Sequence, residues 1–128
     1  MDRRNKIINM TAVKIHKRNA FNYAFRGIVY AWKTQLNFKI ETGVALATVL
    51  MSVFFQISAV QWLIVVLLIG LVLSLEILNT AVEMLCDLYS KSYHPLIKLI
   101  KDTAAGAVLI ATITAVIAGL MIFIPHIF

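Results

Sequence analysis

The chain has 128 residues, 61% of them hydrophobic and 14% charged, with a mean hydropathy of +0.87. That balance excludes an ordinary soluble globule and leaves one small domain whose solvent is mostly lipid. The formal charge of +6 is not the footprint of a nucleic-acid binder, because nine of the twelve Lys and Arg residues precede residue 40; it is a topology signal.

Residues 1–14 carry Arg3, Arg4, Lys6 and Lys14 without a clear pattern and are expected to be flexible. No apolar stretch separates these charges, so the segment does not read as a signal peptide. Residues 15–39 read as an amphipathic surface helix. Phe21, Phe25, Ile28, Val29, Trp32 and Leu36 recur at spacings of three and four, with Lys17, Arg18, Asn22, Arg26 and Lys33 elsewhere around the wheel. Such a helix would lie in the headgroup layer of an anionic leaflet.

Residues 44–75 are almost continuously apolar. As one helix they would run about 48 Å, too long for a hydrocarbon core of about 30 Å. The polar cluster Gln56, Ser58 and Gln61 marks the place for a break, so a turn is expected near 57–60. The first span then covers about 40–57 and the second 59–86. A third apolar run, 103–128, makes three spans. Cys86 is the single cysteine, which excludes an intrachain disulfide and a Cys-rich metal site and leaves it as a small buried hydrophobe.

Every Lys and Arg lies either in the N-terminal arm or, as Lys91, Lys98 and Lys101, between the second and third spans. Both segments should therefore face the cytoplasm, with the C-terminus outside. Trp32, Trp62 and Tyr93 read as interfacial aromatics, and His126 as structural.

The second span carries an anomaly. Glu76 ends a run of Leu, Ile and Val, where a charge costs about 2.5–3.5 kcal/mol to insert at the helix centre. Asn79, Glu83 and Asp87 follow at offsets of three, seven and eleven residues, and at about 100° per residue all four fall within a stripe of roughly 80°. General-base catalysis on a hydroxyl wants a carboxylate poised nearer neutrality than one in water, and Glu76 suits that role by position. Glu83 with Asn79 offers the hard oxygens that Mg²⁺ takes when it is shared with phosphates. Across the loop, Asp102 is placed as a helix N-cap, and a helix N-terminus beside Lys101 would make a phosphate-binding end. No Gly-rich nucleotide motif is present. Simpler readings stand beside these: a protonated acid hydrogen-bonded between helices, a snorkelling Lys101, a solvated His94. An ion or proton pathway is the rival of another class, although the outer half of the span, from Ser58 to Gly70, offers it almost no polar group.

The run Glu76-Ile77-Leu78-Asn79-Thr80-Ala81-Val82-Glu83-Met84-Leu85-Cys86-Asp87, followed by Tyr93-His94-Pro95 and Lys101-Asp102-Thr103-Ala104-Ala105-Gly106-Ala107-Val108-Leu109, resembles the signature of the prokaryotic diacylglycerol kinase and undecaprenol kinase family. The similarity covers about 15–125 and includes Phe21-Asn22-Tyr23-Ala24-Phe25-Arg26-Gly27-Ile28. The resemblance implies an all-α membrane protein with three transmembrane helices and an N-terminal surface helix, assembled as a homotrimer in the bacterial plasma membrane. Its composite sites would face the cytoplasm. It implies a lipid kinase using Mg²⁺ and ATP, with Glu76 as the base, Glu83 on the metal, and Asn79, Asp87, His94, Lys101 and Asp102 around the nucleotide. The lipid would be undecaprenol in preference to diacylglycerol, on the spelling of residues 101–109 and of Asn37-Phe38-Lys39. One departure stands out: where the family usually has a Glu that helps to bind metal, this chain has Gln35. Gln35 is kept as a candidate ligand, with Glu41 or a phosphate oxygen as compensation for the missing charge.

Overall fold

The computed structural model describes residues 20–128, so the expectations for 1–14 and for the first five residues of the surface helix lie outside the described residues. Four helices follow one another: α1 (Ala20–Thr34), α2 (Leu36–Phe54), α3 (Ala59–Tyr89) and α4 (Pro95–Ile127). The last three are long and apolar enough to cross a membrane.

The surface helix ends earlier than its periodicity suggested. Gln35 adopts an extended backbone (φ −103°, ψ 116°) between α1 and α2, so residues 36–39 belong to the first span rather than to the surface helix. One non-helical residue suffices to redirect the chain, and no Gly or Pro marks it. On α1 only Ala31 is buried, while Phe21 and Phe25 are 93% and 66% exposed. The apolar stripe of α1 stays open.

The first span ends at Phe54, three residues before the expected 57, because the turn falls at 55–58 rather than the expected 57–60. Gln56 takes a left-handed conformation (φ 50°). Its N–H donates to Val53 O at 3.2 Å, and Ile57 N–H donates to Ser52 O at 3.3 Å, which is the Schellman pattern for closing a helix. Ser58 then opens α3 through a capping box: its Oγ accepts from Gln61 N–H at 3.3 Å and its own N–H donates to Gln61 Oε1 at 2.9 Å. Both helix ends are thus satisfied within four residues. Beneath this turn Ile57, Val65, Ile122 and Phe123 form a buried cluster, with Phe55, Trp62 and Ile69 against it.

At the other end α3 runs three residues past the expected 86, and α4 begins at Pro95 rather than 103. His94 is the N-cap of α4, its Nδ1 accepting from Leu96 N–H at 3.2 Å, and Pro95 occupies the first helical position, where its missing N–H is no loss. Lys101 and Asp102 therefore lie within α4, and the expected N-cap role of Asp102 and the helix N-terminus beside Lys101 are both corrected. α2 and α4 each pack on α3, leaving between them an apolar trough of about 500 Å³ lined by Val65, Leu68, Val72, Thr112, Phe123 and, alone among these in charge, Glu41.

Candidate active site

With 1.5 Å of rise per residue from Ala59, Glu76 lies about 26 Å along α3, Asn79 about 30 Å, Glu83 about 36 Å and Asp87 about 42 Å. The hydrocarbon core is about 30 Å thick. Counted from Ala59, that thickness would end near Asn79, between Glu76 and Glu83. Burial follows the same order: Glu76 is 2% exposed and Asn79 7%, Glu83 is half-buried and Asp87 exposed.

Glu83 is the hub. Its Oε1 accepts from Asn79 Nδ2 at 3.4 Å, one turn earlier on α3. Its Oε2 accepts from Gln35 Nε2 at 3.5 Å, a contact across 48 positions of sequence. Gln35 is free to make it because, as the N-cap of α2, its side chain forms no capping hydrogen bond. Asn79 Oδ1 is buried with no hydrogen-bond partner.

Lys101 of α4 reaches α3, its Nζ donating to Asp87 Oδ1 at 2.5 Å. Asp102 is paired instead with Lys98, one turn back on its own helix, and His94 is occupied as the cap of α4. Of the residues singled out from sequence, the structure joins Gln35, Asn79 and Glu83 in one group and Asp87 with Lys101 in a second, about one turn further out. Glu76, Asp102 and His94 are in neither.

Three neighbouring residues bear on these groups, of which only Glu41 was named from sequence, as compensation at the metal position. Thr80, 3% exposed, donates its hydroxyl to Glu76 O at 2.9 Å. Glu41 of α2 lies close enough to Glu76 for their charges to interact, and its Oε2 is buried without a partner. The cost argument that flagged Glu76 applies equally to an acid in the first span. Lys98 was legible only as an i,i+4 partner of Asp102.

The donors around Glu83 are hard oxygens or amides that can present one, and one acceptor among them is unsatisfied. That set fits Mg²⁺, which binds through one or two carboxylates and completes its shell with water and phosphate. It does not form a metal cage by itself: among the described residues no three His, Cys, Asp or Glu side chains come together as a ligand set.

The family model described as prokaryotic diacylglycerol kinase matches residues 22–123. An undecaprenol kinase of Bacillus subtilis is 42% identical over 106 residues, which is 83% of this chain and 86% of that protein. A diacylglycerol kinase of Synechocystis is 43% identical over 107 residues, 83% of this chain but only 61% of the longer relative. The diacylglycerol kinase of Escherichia coli K12 is 32% identical over 107 residues, covering 84% and 88%. With three apolar spans and a matched region that holds every candidate residue, the chain is a multi-pass membrane protein and belongs to the prokaryotic diacylglycerol kinase family of small lipid kinases.

Proposed function

We propose that this protein transfers the γ-phosphate of ATP to the hydroxyl of a polyprenol, undecaprenol in preference to diacylglycerol, at the cytoplasmic face of the membrane. The observation that carries the reading is the polar stripe of α3, buried at Glu76 and more exposed through Glu83 to Asp87, where Lys101 joins it; this gradient supports a lipid side at Glu76 and a water side at Asp87. A lipid hydroxyl approaches Glu76 from the bilayer, and a nucleotide approaches Lys101 from solution. The apolar trough between α2 and α4 supports a long hydrocarbon substrate. The distribution of Lys and Arg supports the cytoplasmic assignment. The family resemblance supports a homotrimer.

In this reading Glu76 takes the hydroxyl proton while the lipid oxygen bonds to the γ-phosphorus and the bond from that phosphorus to the β–γ bridging oxygen breaks, releasing ADP. Lys101 sets its ammonium against the transferring phosphoryl group. Asp87 orients Lys101, while Asp102 and His94 border the nucleotide. Glu83, with the amide oxygens of Asn79 and Gln35, would hold Mg²⁺, which would neutralise phosphate charge.

The undecaprenol assignment is favoured by the relative from Bacillus, matched over 86% of its length. Diacylglycerol is the second reading, favoured by the 43% identity with the Synechocystis protein. Purified protein in mixed micelles with Mg-ATP and each lipid in turn tests both. Phosphate should appear in the organic phase, faster with undecaprenol. Faster transfer to diacylglycerol would reverse the assignment, and no transfer to either lipid would sink the kinase reading.

A further inference from the structure

Glu83 is held in a way that bears on how a cation reaches it. Both of its oxygens accept from side-chain amides, Asn79 Nδ2 at 3.4 Å and Gln35 Nε2 at 3.5 Å. The residues around the carboxylate thus present N–H groups, the polarity opposite to the one a cation needs. The arrangement leaves Asn79 Oδ1 buried and unpaired on a residue only 7% exposed. A stranded buried acceptor is unfavourable, so the donor-facing state is not the one that satisfies Asn79. A terminal amide turned about its last bond exchanges its NH₂ for its oxygen. The same two side chains that hold Glu83 can therefore become ligands.

Charge count decides when they do so. Glu76 is seven residues earlier on α3, about 10 Å along the axis, too far to share an ion bound at Glu83. Asp87 is engaged by Lys101. One carboxylate and two neutral amides make a poor site for a bare divalent ion, whose affinity rises with the number of charged ligands. Phosphate oxygens supply the charge that the protein lacks.

We propose that Gln35 and Asn79 form an amide clasp that closes Glu83 to a free divalent cation and opens it to one arriving already bound to nucleotide phosphates. The proposal rests on the kinase reading and adds to it an order of loading: metal and nucleotide enter together. Gln35 sets that order, since it occupies the position from which a second carboxylate would reach Glu83.

The probe is Mn²⁺, with the full chain in mixed micelles, protein-retained Mn²⁺ separated by ultrafiltration and read by electron paramagnetic resonance. Without nucleotide, the wild-type protein is expected to retain no saturable Mn²⁺. With a non-hydrolysable ATP analogue it should retain one. Gln35→Glu should retain Mn²⁺ without nucleotide, with affinity raised at least about ten-fold. Wild-type protein that binds Mn²⁺ equally well with and without the analogue overturns the clasp and leaves the kinase reading intact. A Gln35→Glu protein with no nucleotide-free gain overturns it too. Failure to retain Mn²⁺ even with the analogue overturns the clasp and the Mg-ATP site together. The two wild-type arms decide the matter even if the variant does not fold.

Discussion

Glu76→Gln is the substitution that separates chemistry from folding most cleanly. It exchanges one carboxyl oxygen for a nitrogen at almost constant volume, at a position 2% exposed. The hydrogen bond from Thr80 Oγ1 goes to the Glu76 main-chain carbonyl and is retained. The neighbouring charges that act on Glu76 are the acids Glu41 and Glu83, so a neutral side chain loses repulsion rather than attraction. The unfolding temperature in micelles should therefore equal or exceed that of the wild type. Activity should behave differently, because an amide cannot take the proton. General bases contribute about 10²–10⁴ in rate, or about 2.7–5.5 kcal/mol of barrier. The assay is transfer of labelled phosphate from Mg-ATP into the organic phase, with membrane insertion checked in parallel. A correctly inserted Glu76→Gln protein within about ten-fold of wild-type rate would refute the base assignment.

Four further outcomes follow from the geometry. Gln35→Glu places a second carboxylate beside Glu83, and the Mg²⁺ needed for half-maximal rate should fall; an unchanged titration would mean that Gln35 is not at the metal. Asp87→Asn releases Lys101 from its partner, so KM for ATP should rise roughly five-fold while KM for lipid stays within about two-fold; equal changes in both would mark the pair as structural. Ser58→Ala removes the capping box of α3 and should cost about 1 kcal/mol, read as a lower unfolding temperature with kcat unchanged. Gln56→Gly relieves a left-handed non-glycine residue; the gain of about 1–2 kcal/mol is offset by about 0.4–1 kcal/mol of added freedom in the unfolded chain, so a small net rise in stability is expected.

The three spans were legible because their signal is composition over a long window, and Gln56, Ser58 and Gln61 marked the turn between α2 and α3 because each has a separate task there. The acid stripe was legible for the same kind of reason: an acid among Leu and Val is costly, and the helical period alone places its companions. The break at Gln35 was not legible. It occupies one residue, carries no Gly or Pro, and interrupts an amphipathic pattern that continues on both sides. The start of α4 was misread because Lys98, Lys101 and Asp102 looked like loop, whereas helix propensity, the Pro95 start and the Lys98–Asp102 pair carry the helix through them. What periodicity could not supply was the partner across space. That Gln35 meets Glu83 and that Lys101 meets Asp87 depends on how α1, α3 and α4 are set against one another.

That setting begins at the far side of the bilayer. The turn between α2 and α3 has no slack: a Schellman closure and a capping box meet within four residues, over an anchored cluster of Ile57, Val65, Ile122 and Phe123. Depth along α3 is thereby counted from a fixed origin, about 26 Å to Glu76 and about 36 Å to Glu83. A hydrocarbon core of about 30 Å counted from that origin would end between the two acids. Removing one residue from α3 between that origin and Glu76 would draw the stripe inward by only about 1.5 Å, but would rotate it by about 100°. Rotation, far more than depth, would part Glu83 from Gln35 and Asp87 from Lys101. The register of α3 between the turn and Glu76 is therefore constrained by facing far more than by depth.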